Sequence, residues 1–175
     1  MKFIFLFCLA VSLIGCGQTN PTTLAEQPET ATEVYPDTIP RVTGIGGIFF
    51  KAHDPGAMKS WYGEQLGLAI RESGSPFEFR NAHRPEEINY LNWDSFADTT
   101  SYFDPSEKPF MINYRVQNIE GLVKKLRDNG VIILDEIVEY PYGKFVHIMD
   151  PEGNKIELWE PVDSFLTKLG GPTTK

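Results

Sequence analysis

His147 and Glu157 are the two residues of this chain whose types and spacing most directly invite chemistry. They flank Met149-Asp150-Pro151-Glu152-Gly153-Asn154, a run suited to a tight turn. Proline pre-sets one dihedral angle, and glycine and asparagine tolerate positive φ. Side chains on a strand alternate between faces. A hairpin centred near Glu152 therefore sets His147 and Glu157 opposite each other on one face. An imidazole beside a carboxylate is a pair for proton transfer or metal ligation. The same two residues also suit a plain polar cross-strand pair.

The elements that must position this pair form a duplicated pattern. The mostly apolar run Gly47 to Ala52 reads as a strand. Asp54 then serves as N-cap with Pro55 in the first helical position, and Met58, Trp61, Tyr62 and Leu66 follow at helical spacing until Gly67. Phe110 to Val116 is again a strand pattern. Asn118 is the second N-cap, Ile119, Leu122, Val123 and Leu126 form the stripe, and Gly130 ends the helix. The two copies are offset by roughly 64 residues. Strand-like segments come after each helix: Leu68–Glu72, Pro76–Arg80 and Ile88–Trp93 in the first half, Val131–Glu139, Phe145–Met149 and Lys155–Trp159 in the second. The expected fold is α+β: two βαβββ modules side by side in one curled mixed sheet, helices outside and a central cup between. Asp94 to Lys108 joins the halves, and Phe96, Tyr102 and Phe103 predict a linker pinned by aromatic packing.

The N-terminus is a separate piece. A short positive start, Met1-Lys2, precedes an apolar run from Phe3 to Leu13. The run is too short to span a bilayer and fits a signal peptide over residues 1–15. Leu13-Ile14-Gly15-Cys16 resembles a bacterial lipobox, which implies cleavage before Cys16 and its lipidation. The chain has 2 cysteines, Cys8 and Cys16. Loss of the first and acylation of the second would leave no thiol for nucleophilic or metal chemistry. Residues 16–41, rich in Thr, Pro, Glu and Gln, read as a flexible tether. Export to a lipid-anchored place in the cell envelope is the expectation. Gly17 carries no acid after the cysteine, which favours the outer membrane of a double-membraned cell. The formal net charge is −8, and without a basic cluster it argues against nucleic acid as a partner. Residues 162–175 are expected to form a tail with one short apolar patch. No phosphate loop, dinucleotide fingerprint or Gly-x-Ser-x-Gly elbow is present.

Three stretches together carry a family resemblance: "GIGGIFFKAHDPGAMKSWYGEQLGL", "PFMINYRVQNIEGLVKKLRDNGV" and "MDPEGNKIELWEP". Over about residues 42–161 the chain resembles the vicinal oxygen chelate superfamily, the group of glyoxalase I, bleomycin-resistance proteins and extradiol dioxygenases. That fold hosts many chemistries. The resemblance implies a cup that holds a divalent metal on up to four side chains. Glu157 falls on the last ligand position and is the metal-ligand candidate, with His147 a second. The other positions fall on Gly47, on Met111 and within Ile88–Leu91, where no acid or histidine stands. One clear ligand in four does not hold a catalytic metal, so no cofactor is assigned with certainty.

Alternation from Gly47 and Met111 turns Phe49, Lys51, Asn113 and Arg115 into the cup. Lys51 and Arg115 are symmetry mates, read either as two cations awaiting a carboxylate or phosphate or as partners of the protein's own acids. Asn113, Trp93, Phe49 and Met111 complete the ligand-binding candidates. Tyr140-Pro141-Tyr142-Gly143 reads as a loop at the cup's mouth. Two functions follow. One is proton transfer on a small oxygen-rich molecule, with Glu157 or His147 as base. The other is non-catalytic binding of the bleomycin-resistance type. The expected partners are a small-molecule ligand, the membrane through its lipid anchor, and a second copy in a homodimer.

Overall fold

The computed structural model describes residues 38–175. The expected signal segment 1–15, Cys16 and residues 16–37 of the tether lie outside the described residues. One 8-stranded mixed sheet carries the fold. Its strands are β1 (Arg41–Ala52), β2 (Ser75–Arg80), β3 (Ile88–Ala97), β4 (Phe110–Gln117), β5 (Ile132–Ile133), β6 (Val138–Tyr140), β7 (Gly143–Met149) and β8 (Lys155–Pro161). The helices are α1 (Pro55–Leu66), α2 (Ile119–Asp128) and α3 (Asp163–Leu169). The strand order is β2-β3-β1-β4-β8-β7-β5, with β6 beside β7. β1 and β4 meet antiparallel at the centre; β3 runs parallel to β1, and β8 parallel to β4. Outward from that seam each half repeats the same partners, so the expected paired modules are the architecture observed.

Local chemistry sets the helix ends. Asp54 accepts a hydrogen bond from the Ala57 amide at 2.9 Å, Pro55 follows it, and Gly67 closes α1 at φ 73°. Asn118 caps α2 by accepting from the Gly121 amide at 3.0 Å. α2 is strongly amphipathic. It buries Ile119, Leu122 and Val123 against Val116, Val146, Ile148 and Leu158, each such side chain contributing about 1.5–3 kcal/mol. α1 buries no residue fully. Its Tyr62 ring lies 4.4 Å from Trp93, while Trp61 and Leu66 face solvent. The helical spacing there is real, but only part of it is used.

Two expected strands differ. Leu68–Glu72 forms only the isolated bridge Arg71↔Gly74. Val131–Glu139 is broken into β5 and β6, and the break turns the Asp135 carboxylate onto the His147 amide at 2.7 Å. The linker between the halves folds onto the cup face. Phe103, with no exposure at all, seats on Phe49 and Met111, and Tyr102 stacks on Phe96 at 5.4 Å. The C-terminal residues cover another part of the same face. The Tyr90 hydroxyl meets Thr167 of α3 at 3.1 Å, and the Thr174 backbone bonds Pro76 and Glu78 of β2.

Candidate functional site

The turn Asp150–Asn154 is fixed by its first residue. One Asp150 carboxylate oxygen accepts from the amides of Glu152 and Asn154 at 2.9 and 2.8 Å. This sets the β7–β8 register, in which His147 faces Glu157 and Asn113 of β4 lies on Glu157's other side. The Glu157 carboxylate is only 3 % exposed. Its Oε1 accepts from the Tyr102 hydroxyl and lies 3.0 Å from His147 Nε2. Its Oε2 accepts from Asn113 Nδ2 at 2.5 Å. His147 Nδ1 lies 2.6 Å from Asp135 Oδ2, and the Asp135 side chain is 44 % exposed. A hydrogen-bonded path thus runs from solvent through Asp135 and His147 to Glu157.

Burial alone would raise the Glu157 pKa. The hydrogen bonds from His147, Tyr102 and Asn113 outweigh it and hold the carboxyl below its ordinary range. Burial alone would lower His147. Its bonds to Glu157 and Asp135 win, and the imidazole is held above its ordinary 6.5. Burial, and then the Glu157 charge, pushes the Tyr102 hydroxyl far up, so it stays a donor. Burial lowers the ammonium of Lys155, which donates to the Tyr102 carbonyl at 2.7 Å.

Glu157 borders a cavity of about 660 Å³ between the sheet and the C-terminal residues. Asn113, Phe49 and Gly46 line its floor region, with Tyr90, Phe145 and Trp159 beside them. Arg71, Glu78 and Lys175 also border it. Of the sequence candidates, Glu157, Asn113 and Phe49 therefore meet at the cavity; His147 stands behind Glu157 and Tyr142 contributes from the mouth loop.

Four ligand-binding expectations need correction. Trp93 pairs with Ile48 and packs on Phe50 and Tyr62, the side facing α1, because the β1–β3 register turns Asn92 and not Trp93 toward the cup. Met111 is sealed under Phe103. Lys51 points its ammonium over the Phe103 ring, 5.6 Å from the centroid, and does not border the cavity. Arg115 is 4 % exposed and committed, donating to the Tyr90 carbonyl at 2.8 Å and to Asp163 of α3 at 2.5 Å. Neither cation awaits an anion in the cavity. Tyr102 and Asp135 were not singled out by sequence as site residues, because both arrive from loops, where no periodicity marks a facing residue. The strand-breaking acid in Leu134-Asp135-Glu136 was the available signal.

The donor set does not fit the implied metal. A Cβ on Gly47 would stand 2.5 Å from the Phe49 ring. Both Glu157 oxygens already accept hydrogen bonds, and both His147 nitrogens face carboxylates. Among the described residues, no three acids, histidines or cysteines group as metal ligands.

The fold and cup define a class of paired-module proteins, and the sequence agrees. The Glyoxalase/Bleomycin resistance protein/Dioxygenase superfamily model matches residues 44–158. The chain belongs to that superfamily. Among solved structures it is similar to methylmalonyl-CoA epimerase from Streptomyces coelicolor in complex with 2-nitronate-propionyl-CoA, at 16% identity and TM-score 0.50, covering 70% of this chain and 99% of that one. Methylmalonyl-CoA epimerase from Mycobacterium tuberculosis aligns at 19% identity and TM-score 0.47, over 78% and 99% of the chains. The Mn(II)-bound glyoxalase from Novosphingobium aromaticivorans aligns at 18% and 0.44, over 70% and 40%. At these identities the likeness is one of fold. A search of curated protein sequences gave no match.

Proposed function

We propose that this chain binds a small molecule in the cavity beside Glu157 and exchanges a proton with it without a metal. The observation that carries this reading is the path Asp135–His147–Glu157, which joins solvent to the cavity floor through contacts of 2.6 and 3.0 Å. Glu157 takes a proton from the ligand, and the imidazolium of His147, which donates from Nε2 to Glu157, releases its Nδ1 proton to Asp135 and water, so the charge of the cluster is unchanged. The reverse sequence returns a proton. Such positioned acid–base groups contribute typically 10²–10⁴-fold.

A specific observation favours a second reading, binding without chemistry. Three donors hold Glu157 below the ordinary carboxylate range, which suits a fixed anion better than a base. Incubation with ligand in deuterated water separates the two. Deuterium entering a carbon position with wild type but not with Glu157→Gln supports proton transfer. A ligand recovered unlabelled from both supports binding alone.

The lipobox-like Leu13–Cys16 supports a further proposal, that the domain works on the surface of an envelope membrane, tethered through Cys16. If Cys16→Ser leaves the protein in the membrane fraction, the anchor is wrong.

A further inference from the structure

The cavity's chemistry at Glu157 is one-sided. Its polar floor consists of acceptors whose donors are already used. Asn113 Nδ2 is spent on Glu157, which fixes the amide's orientation and turns Oδ1 the other way. That Oδ1 is buried and has no hydrogen-bond partner. It lies over Gly46, where a Cβ would stand 2.1 Å from it. An unpaired acceptor beside a buried carboxylate is a costly arrangement that a donor relieves. The charges around Glu157 point the same way. Asp135 and Glu157 flank a single imidazole, so the cluster is net negative whether that ring is protonated or neutral.

Lys51 and Arg115 are engaged elsewhere, and the charge that Arg71 keeps lies at the cavity's C-terminal border beside Gly171 and Pro172. Arg115 is paired with Asp163, and Lys51 faces Phe103. Of the cations bordering the cavity, Arg71 donates to the Pro172 carbonyl and Lys175 pairs with Glu78 at the exposed rim. The remaining walls are mostly apolar and aromatic: Phe49, Tyr90, Phe145, Trp159, Leu91 and Leu166.

Resting on the proposed binding at this cavity, we infer that its ligand class is an apolar molecule with a protonated amine, the ammonium seated at the Glu157 carboxylate and the body against Phe145 and Trp159. Aromatic faces near a cation add to the same preference. The class is opposite in charge to the carboxylate or phosphate that one of the two readings of Lys51 and Arg115 called for.

The test uses three probes of matched shape: 2-(1-naphthyl)ethylamine, 2-(1-naphthyl)ethanol and 3-(1-naphthyl)propionate. Each is titrated calorimetrically into the full chain at pH 7. The expected order is amine, then alcohol, then carboxylate, with the amine at least about tenfold tighter than the carboxylate. Glu157→Gln brings that ratio to within about threefold, and Lys51→Ala leaves it unchanged. Equal or tighter binding of the carboxylate overturns the amine inference while the cavity remains a binding site. Failure of all three probes overturns the inference together with the binding reading. If Glu157→Gln does not fold, the order of the three probes on the wild-type protein decides.

Discussion

Replacing Glu157 by alanine strands three donors at once, and the structure gives the cost of each. Asn113 Nδ2 is buried and His147 Nε2 nearly so, while Tyr102, 39 % exposed, can turn its hydroxyl to water. A buried donor left unpaired costs about 1–3 kcal/mol. Two such donors, with a discounted third, give a loss of about 3–5 kcal/mol, in the range for breaking a buried ion pair from one side. Glutamine at the same position behaves differently. Its carbonyl still accepts from Tyr102 and His147, and the Asn113 amide can turn over so that Oδ1, now without a partner, accepts from the new amide nitrogen. What is lost is the charge assistance, about 1–2 kcal/mol. Urea unfolding followed by tryptophan fluorescence measures both. Equal costs for alanine and glutamine, or an alanine cost below about 1 kcal/mol, would refute the network as drawn.

Other outcomes follow from the same contacts. The raised His147 contributes stability that is complete below its ordinary 6.5 and lost as pH rises through the higher folded value. The lowered Glu157 contributes stability present above its ordinary 4.5 and lost as pH falls through the lower folded value. The stability difference between wild type and His147→Gln is therefore largest between these values and shrinks toward pH 9, as urea midpoints across pH 4–9 will report. Asp163→Ala leaves the buried Arg115 guanidinium with only the Tyr90 carbonyl. It costs about 2–4 kcal/mol and speeds amide exchange in α3, read by hydrogen–deuterium mass spectrometry. Gly46→Ala forces a methyl against Asn113 Oδ1 and Trp159, at 2.1 and 2.9 Å. Overpacking of this kind costs about 1–3 kcal/mol, visible as a lower melting temperature. Addition of a chelator leaves the melting temperature of the purified protein unchanged, since among the described residues no three acids, histidines or cysteines group as metal ligands.

The hairpin, the duplication and the helix caps were legible because their signals are local. Asp150 to Asn154 makes its own turn, and Asp54 and Asn118 bond amides three residues on. Alternation then placed Glu157, Asn113 and Phe49 correctly on the cup face. What local signals do not contain is which long-range partner claims a side chain. Pairing with one of the protein's own acids was one of the two readings of Arg115, but nothing in its strand names the partner, Asp163, 48 residues later. Trp93 looks inward because the parallel β1–β3 register, set by contacts far apart in sequence, is invisible along β3 itself. Tyr102 and Asp135 reach Glu157 and His147 from loops, where no periodicity marks a facing residue. The break that brings Asp135 in also divided one expected strand into β5 and β6. The doubt about a metal was already legible, because Gly47 and Met111 stand at two of the implied ligand positions. Family position predicts where a ligand would stand, but Gly46 and Gly47 leave room that Asn113, Trp159 and Phe49 have filled.

Native mass spectrometry of the full chain with the naphthyl probes, held in chelator throughout, tests metal-independent binding at Glu157 most directly. The expected result is a one-to-one amine adduct that persists in chelator and that Glu157→Gln weakens to the level of the carboxylate probe. An adduct that forms only when manganese is supplied, or that survives unchanged in Glu157→Gln, would contradict it.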